Sequence, residues 1–199
     1  LAEFLKSLGL RCAGVHSSTA ELTDPASKTY QYAQTLGAAY VSTGRLHDVN
    51  EKWDGVIKEM AVVGDVAHSK GVTFTYHNHD PEFIRFGGKY ALDILFERTD
   101  PALVQAELDT FWIKKGGADP IPYIRKYKGR VPQIHLKDMD GADESFTELG
   151  AGIIDIKGVY ALAAEIGAKW IIYEQDRWKT TGLDSAKKSI EYLKKSGLV

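Results

Sequence analysis

Gly71-Val-Thr-Phe-Thr-Tyr-His-Asn-His79 reads as a short strand that runs into a polar, ligand-rich end. Val72, Phe74 and Tyr76 fall on one face by alternation, and Thr73, Thr75, His77 and His79 fall on the other. Two imidazoles at i and i+2 of a strand point the same way, so they can share one ligand or one metal. Taken alone, the segment is explained as well by a polar strand end in which each histidine caps nearby backbone. The decision comes from other segments that end in the same manner.

Upstream, Leu1 to Ser7 carries helical spacing and Gly9 signals its end. Arg11 to Ser18 is the first strand expected. Asp24-Pro25 has the form of an N-cap and N1 proline, which predicts a helix to about Leu36, stopped by Gly37. Ala38 to Thr43 is the next strand, followed by a loop with Arg45 and His47. A helix from about Val49 to Ser69 carries Val56, Met60, Val63 and Ala67 near one stripe. Downstream, Asp80 to Phe83 is a loop, Tyr90 to Glu97 a short helix and Ala102 to Asp109 a strand with Thr110-Phe-Trp112 as its exit. Asp119-Pro120 opens a helix to about Lys128, and Arg130 to Lys137 is a strand. A Gly-, Asp- and Glu-rich loop runs from Asp138 to Gly152. Asp155 opens a helix that ends at Gly167, Ala168 to Glu174 is the last strand, and a Lys- and Glu-rich helix begins near Leu183. The order is one helix and then six strand-helix units. Strict alternation with short links predicts a parallel sheet covered by helices in a single α/β domain over 1–199. No glycine-rich fingerprint follows a strand, which disfavours a dinucleotide sheet. A (β/α) barrel gathers functional residues at the C-terminal ends of its strands, and the polar residues sit there.

The composition narrows the partners. Apolar residues make up 44% of the 199, charged residues 26%, and the formal net charge is −2. Such a balance is ordinary for a globular protein, and without a basic stripe nucleic acid is disfavoured. The lone Cys12 excludes an internal disulfide framework and a cysteine zinc cluster, and makes a reducing, cytoplasmic setting the default expectation. No apolar run reaches membrane-spanning length, so no membrane partner is expected.

The strand ends together present His16, His77 and His79, Glu107 and Asp109, His135 and Lys137, and Glu174. Each has a bland reading. His16 lines the core, Asp109 caps a turn, His135 bonds a carbonyl, Glu174 pairs with Lys137 or Arg177, and Trp112 packs. Yet charged inward strand ends cost several kcal/mol, in the order-of-magnitude sense, unless paired or metal-bound. One divalent cation accounts for several of them at once. Mixed nitrogen and oxygen donors suit Mn, Zn, Mg or Co, and the lack of thiolate argues against a purely structural zinc.

Several stretches carry a resemblance. They are Tyr76-His-Asn-His-Asp-Pro-Glu-Phe83, Glu107-Leu-Asp-Thr-Phe-Trp112 with Gly116-Gly-Ala-Asp-Pro120, Gln133-Ile-His-Leu-Lys-Asp138, Leu149-Gly-Ala-Gly152 and Tyr173-Glu-Gln-Asp176. In order and spacing they resemble the sugar phosphate isomerase/epimerase family, the xylose isomerase-like TIM barrels related to AP endonuclease family 2. The resemblance implies a TIM (β/α)8-type barrel of which about six units are present, with the first units expected in a longer gene product or supplied by another chain. It implies one divalent metal at the barrel mouth, with Asp109, His135 and Glu174 matching three usual ligands and His77 standing where the family has a Glu. Only Glu174 then remains of the two carboxylates that serve family epimerases as acid and base.

The leading expectation is a metal-dependent sugar or sugar-phosphate isomerase or epimerase working through an enediolate. Glu174 or His79 would move the proton, and Lys137 would steady the developing oxyanion. Trp112, Glu107 and Gln175 are the candidate substrate contacts. The alternative is a lyase or dehydratase on keto-sugars, inososes or 3-keto-glycosides, for which one base suffices. A non-catalytic sugar-binding fragment is the reading of another class, and a DNA-repair endonuclease is weaker still. The partner is a small-molecule sugar. Family barrels often form dimers, which admits a homodimer here.

Overall fold

The computed structural model describes residues 1–44 and 53–199. The loop positions Arg45 and His47, and the expected helix start at Val49, lie outside the described residues. The chain divides into two compact units, Leu1–Glu107 and Leu108–Val199. Among the described residues no helix is long and apolar enough to cross a membrane.

In Leu1–Glu107 the strands Val15–His16, Tyr40–Thr43, Thr73–His77 and the first part of Val104–Asp109 pair in parallel, each with the next. The register sets His16 beside Ser42, Ser42 beside Thr75, Thr75 beside Gln105, and His77 beside Glu107. Partners in a parallel ladder face the same side, so these polar residues share one face. Val41, Phe74, Tyr76, Val104 and Ala106 occupy the other face and are buried. The helix Trp53–Ser69 packs there with Val56, Met60, Val63 and Ala67 inward, the stripe its sequence predicts. Burying each such large side chain contributes about 1.5–3 kcal/mol. The alternation expected for the Gly71–His79 stretch is therefore the one observed.

Two details differ from expectation. A short helix, Thr19–Thr23, precedes Asp24, and Ser18 caps it by accepting from the Glu21 amide. Asp24 folds its side chain onto the Ala26 amide at 2.8 Å, which makes a turn, so the following helix, Lys28–Leu36, starts from Ser27 instead. A side chain that bonds its own backbone two residues on competes with helix initiation. The loop after His79 also holds a turn of 3-10 helix, Pro81–Phe83, and a tight antiparallel pair, Arg85–Phe86 with Lys89–Tyr90.

In Leu108–Val199 the strand Gln133–Leu136 pairs in parallel with Trp170–Tyr173, with His135 beside Ile172. The helix Pro120–Lys126 begins as the sequence predicts, with the Asp119 side chain accepting from Ile121 and proline in the first turn. The helix Ile156–Ile166 is capped by Asp155 on the Gly158 amide and stopped by Gly167 in the left-handed conformation. Val159, Leu162 and Ala163 of this helix join Ile124, Ile134 and Leu136 in the buried core. The exit Thr110-Phe-Trp112 is itself helical, in Thr110–Lys115, and the acidic loop contains a small hairpin, Asp138–Met139 with Phe146–Thr147. The last helix, Gly182–Lys195, starts from Thr181, whose hydroxyl accepts from the Asp184 amide.

Candidate functional site

Asp109 ends its strand and caps the next helix at once. One carboxylate oxygen accepts from the amides of Phe111 (2.9 Å) and Trp112 (3.1 Å). The other faces the Lys137 ammonium at 3.1 Å. The capping role weighed against a site role is thus compatible with it, because a carboxylate has two oxygens. Thr110 ties this corner to the neighbouring strand. Its hydroxyl donates to the Lys137 carbonyl at 2.7 Å and accepts from the Lys137 amide at 3.0 Å.

Lys137 is the centre of the cluster. Its ammonium contacts Asp109, Glu174 (2.8 Å) and Asp176 (2.9 Å), one carboxylate for each of its three donors. Glu174 also meets His135 Nδ1 at 2.7 Å through the same oxygen that Lys137 reaches. Burial alone would lower the lysine, but Asp109, Glu174 and Asp176 outweigh it and hold the ammonium above its ordinary range. The hydrogen bond from His135, with Lys137 behind it, holds Glu174 well below the usual carboxylate range. Asp109 is pushed up to about 6 by burial, against the pull of Lys137 and His135. A cluster with such opposed shifts is the type of place where catalytic groups are found.

Asp138, the next residue, has a different task. Its carboxylate accepts from four amides: Met139 (2.8 Å), Ile154 (3.1 Å), Gly150 (2.9 Å) and Gly152 (3.0 Å). That gathers the Leu149-Gly-Ala-Gly152 loop about one buried charge. A Cβ on Gly152 would run into the Asp138 carboxylate and the Met139 carbonyl, so the backbone approaches there only because the residue is glycine. The loop in turn follows the hairpin that carries Phe146, which stacks on Phe111 at 3.9 Å and lies edge-on to Trp112 at 5.6 Å. Trp112 is half-buried in this aromatic group. Gln175 is not part of the cluster around Lys137. Its amide oxygen accepts from the Tyr173 hydroxyl and its NH2 donates to the Arg177 carbonyl.

The other unit holds a second polar group. Glu107 is buried, and the same carboxylate oxygen lies 2.5 Å from His16 Nε2 and 3.4 Å from His77 Nδ1. His16 is 45% exposed, which corrects the expectation that it lines the core. His77 and His79 meet edge to face at 5.0 Å between ring centroids. The turn beyond them is fixed by the fully buried Glu82, which accepts from the Tyr76 hydroxyl (2.8 Å) and the His79 amide (3.0 Å). Burial pushes Glu82 up to about 7, against those hydrogen bonds.

Of the residues singled out from sequence, Asp109, His135, Lys137 and Glu174 come together in Leu108–Val199. His77, His79 and Glu107 come together in Leu1–Glu107. Asp176, Thr110, Asp138 and Glu82 were not among them. Asp176 had a signal, since it lies two residues beyond Glu174 and so shares its strand parity. The remaining three act through loop and turn contacts that no periodicity announces.

The donor chemistry fits a divalent ion. Asp109, His135 and Glu174 each offer one ligand atom, and these atoms lie within 4.8 Å of one another. One imidazole with two carboxylates is a borderline-to-hard set.

A family model described as xylose isomerase-like TIM barrel matches residues 1–196. An inosose dehydratase of Clostridium tetani is 30% identical, over 75% of this chain and 56% of that protein. The chain thus spans a little over half the length of the curated relatives it matches. A sugar phosphate isomerase/epimerase from Parabacteroides distasonis superposes with a TM-score of 0.85 at 23% identity, covering 100% of this chain and 75% of that one. The crystal structure of the IolI protein with a bound zinc atom superposes with a TM-score of 0.71 at 16% identity, covering 97% of this chain and 79% of that one.

Proposed function

This chain belongs to the xylose isomerase-like TIM-barrel family, and from that premise we propose that it is a metal-dependent lyase that dehydrates a keto-sugar or an inosose. The observation that carries the reading is the chain's identity with inosose dehydratases at about 30% across most of its length, joined to the ligand cluster at its strand ends. The reading departs from the isomerase expected first. The family resemblance implies two opposed carboxylates for an epimerase and sets His77 where one of them would be, which favours the lyase.

Asp109, His135 and Glu174 are the residues proposed to hold the ion. A bound divalent ion polarises a substrate carbonyl and acidifies the carbon beside it. The protein groups then supply the rest. A base removes the α-proton, the carbon–oxygen bond at the β-position breaks, and the hydroxyl leaves as water with a proton from an acid. Glu174 is held ionised and weakly basic by His135 and Lys137, which suits a ligand better than a base. We assign the proton transfer to His79, the imidazole that the sequence offers two residues beyond His77. Lys137, held as an ammonium, is assigned to the oxyanion or a substrate hydroxyl.

The test is an elimination assay on a panel of inososes and keto-sugars, with and without a chelator. A dehydrated product that disappears on chelation and in His79→Gln supports the reading. Isomer formation without elimination would return the assignment to an epimerase, the second reading, for which the likeness to a sugar phosphate isomerase/epimerase fold speaks.

A further inference from the structure

We infer that Glu82 is a positioning residue for His79, an inference that rests on the assignment of proton transfer to that imidazole. Strand pairing stops at His77, whose partner is Glu107. His79 lies beyond the ladder and before the turn Pro81–Phe83, so neither strand nor helix fixes its backbone. Glu82 does so instead. Its Oε2 accepts from the His79 amide at 3.0 Å, and its Oε1 accepts from the Tyr76 hydroxyl at 2.8 Å. Tyr76 belongs to the strand Thr73–His77, and both it and Glu82 are fully buried. One carboxyl group therefore ties the His79 backbone to the strand, with a separate oxygen for each contact.

The clamp is itself held. Pro81 opens the turn with a fixed φ, the Phe83 amide donates to the Asp80 carbonyl at 3.0 Å, and the Ile84 amide donates to the Pro81 carbonyl at 3.2 Å. The Phe83 ring lies edge-on to Tyr90 at 5.2 Å between centroids. The imidazole is confined as well. The His77 ring meets it edge to face at 5.0 Å, and a Cβ on Gly44 would stand 2.9 Å from its Cε1. A shift of the backbone at position 79 is thus carried into the ring. A buried carboxyl is an expensive way to close a turn, because burial penalises its charge. Such a group suits a place where one arrangement must be specified, as a fully bonded buried network does. A proton-transfer group needs that precision, since a misplacement of about 1 Å can cost up to about a hundredfold in rate.

The experiment compares Glu82→Leu, Tyr76→Phe and Glu82→Gln with wild type and His79→Gln. Glu82→Leu removes both hydrogen bonds, Tyr76→Phe removes one and keeps the ring, and Glu82→Gln can keep both. The readouts are steady-state elimination from an inosose and the side-chain NMR spectrum of 15N-histidine protein, in which His79→Gln identifies the His79 signals. Glu82→Leu is expected to lower kcat by about tenfold or more while KM stays within about threefold. Tyr76→Phe is expected to lower kcat by about threefold, and Glu82→Gln to restore it to within about twofold of wild type. The His79 signals should move in Glu82→Leu and Tyr76→Phe, while those of His68, on the helix Trp53–Ser69, stay in place. Wild-type kcat with unmoved His79 signals in Glu82→Leu would overturn the inference. If Glu82→Leu does not fold, the same result in Tyr76→Phe overturns it. A loss that Glu82→Gln fails to restore, with the His79 signals unmoved, overturns it too. Turnover that survives in His79→Gln removes His79 as the base and the inference with it. Turnover lost in His79→Gln but kept in Glu82→Leu leaves the base assignment standing and refutes the role of Glu82 alone.

Discussion

Lys137 Nζ lies 3.1 Å from Asp109 Oδ2, with both side chains closed to solvent. The pair sets the character of its unit. A buried ammonium and a buried carboxylate each carry a large desolvation cost, which each offsets in part for the other, beside Glu174 and Asp176 on the lysine and the two amides on Asp109. Removing one partner strands the other. Lys137→Ala is expected to lose about 3–5 kcal/mol of stability, the range for breaking a buried pair. Lys137→Ala combined with Asp109→Asn should recover part of the loss. Urea unfolding of the three proteins measures both, and a single variant as stable as wild type would show that the pair is not structural.

Glu82 makes stability depend on pH. Its carboxyl titrates near 7 in the fold and near its ordinary 4.5 when unfolded, because burial favours the proton. The fold therefore gains from this group while the proton stays on. The gain is full below about pH 4.5 and is lost as the pH rises through about 7. The whole effect is on the order of 3 kcal/mol. Gln imitates the protonated acid, with its oxygen accepting from the His79 amide and its NH2 donating to the Tyr76 oxygen. Glu82→Gln is expected to gain stability relative to wild type between pH 5 and pH 8 by a few kcal/mol. Parallel pH profiles for the two proteins would contradict the assignment.

The order of elements was legible because each unit repeats the same signals. A strand of alternating or apolar residues ends in polar residues, and a Gly stops several of the helices that follow, as Gly37 and Gly167 do. His135, Lys137 and Glu174 could be found because they share strand parity at matching ends. The short helix Thr110–Lys115 was missed because Asp109 both ends the strand and caps the helix, which leaves no turn residues between them. The hairpin Asp138–Met139 with Phe146–Thr147 was hidden in an acidic, glycine-rich run whose composition reads as loop. The exposure of His16 was not legible either. A two-residue strand has no periodicity from which to read its face.

Asp138 predicts a localised stability loss. Asparagine offers one acceptor oxygen where the carboxylate offers two, so about half of its four amide bonds lose their partner. Asp138→Asn is expected to cost about 2–4 kcal/mol, from hydrogen bonds to a charged group. Hydrogen exchange should show faster exchange at Gly150 and Gly152. Unchanged protection there would mean that the carboxylate does not hold the loop.

Glu174 predicts a joint loss of metal and turnover. Glu174→Gln keeps the volume and removes the charge that faces His135 and Lys137. Turnover is expected to fall at least about a hundredfold, and binding of the metal proposed for Asp109, His135 and Glu174 to weaken with it. Elemental analysis and steady-state kinetics on the same preparation check both. Full activity with full metal content would remove Glu174 from the site.

The most direct measurement is the product formed from an inosose or keto-sugar in deuterated water, followed by mass spectrometry and proton NMR. Elimination predicts a product lighter than the substrate by one water, with a new carbon–carbon double bond conjugated to the carbonyl. A product of substrate composition that carries one solvent deuterium at the carbon beside the carbonyl would contradict a lyase and identify proton return without loss of water.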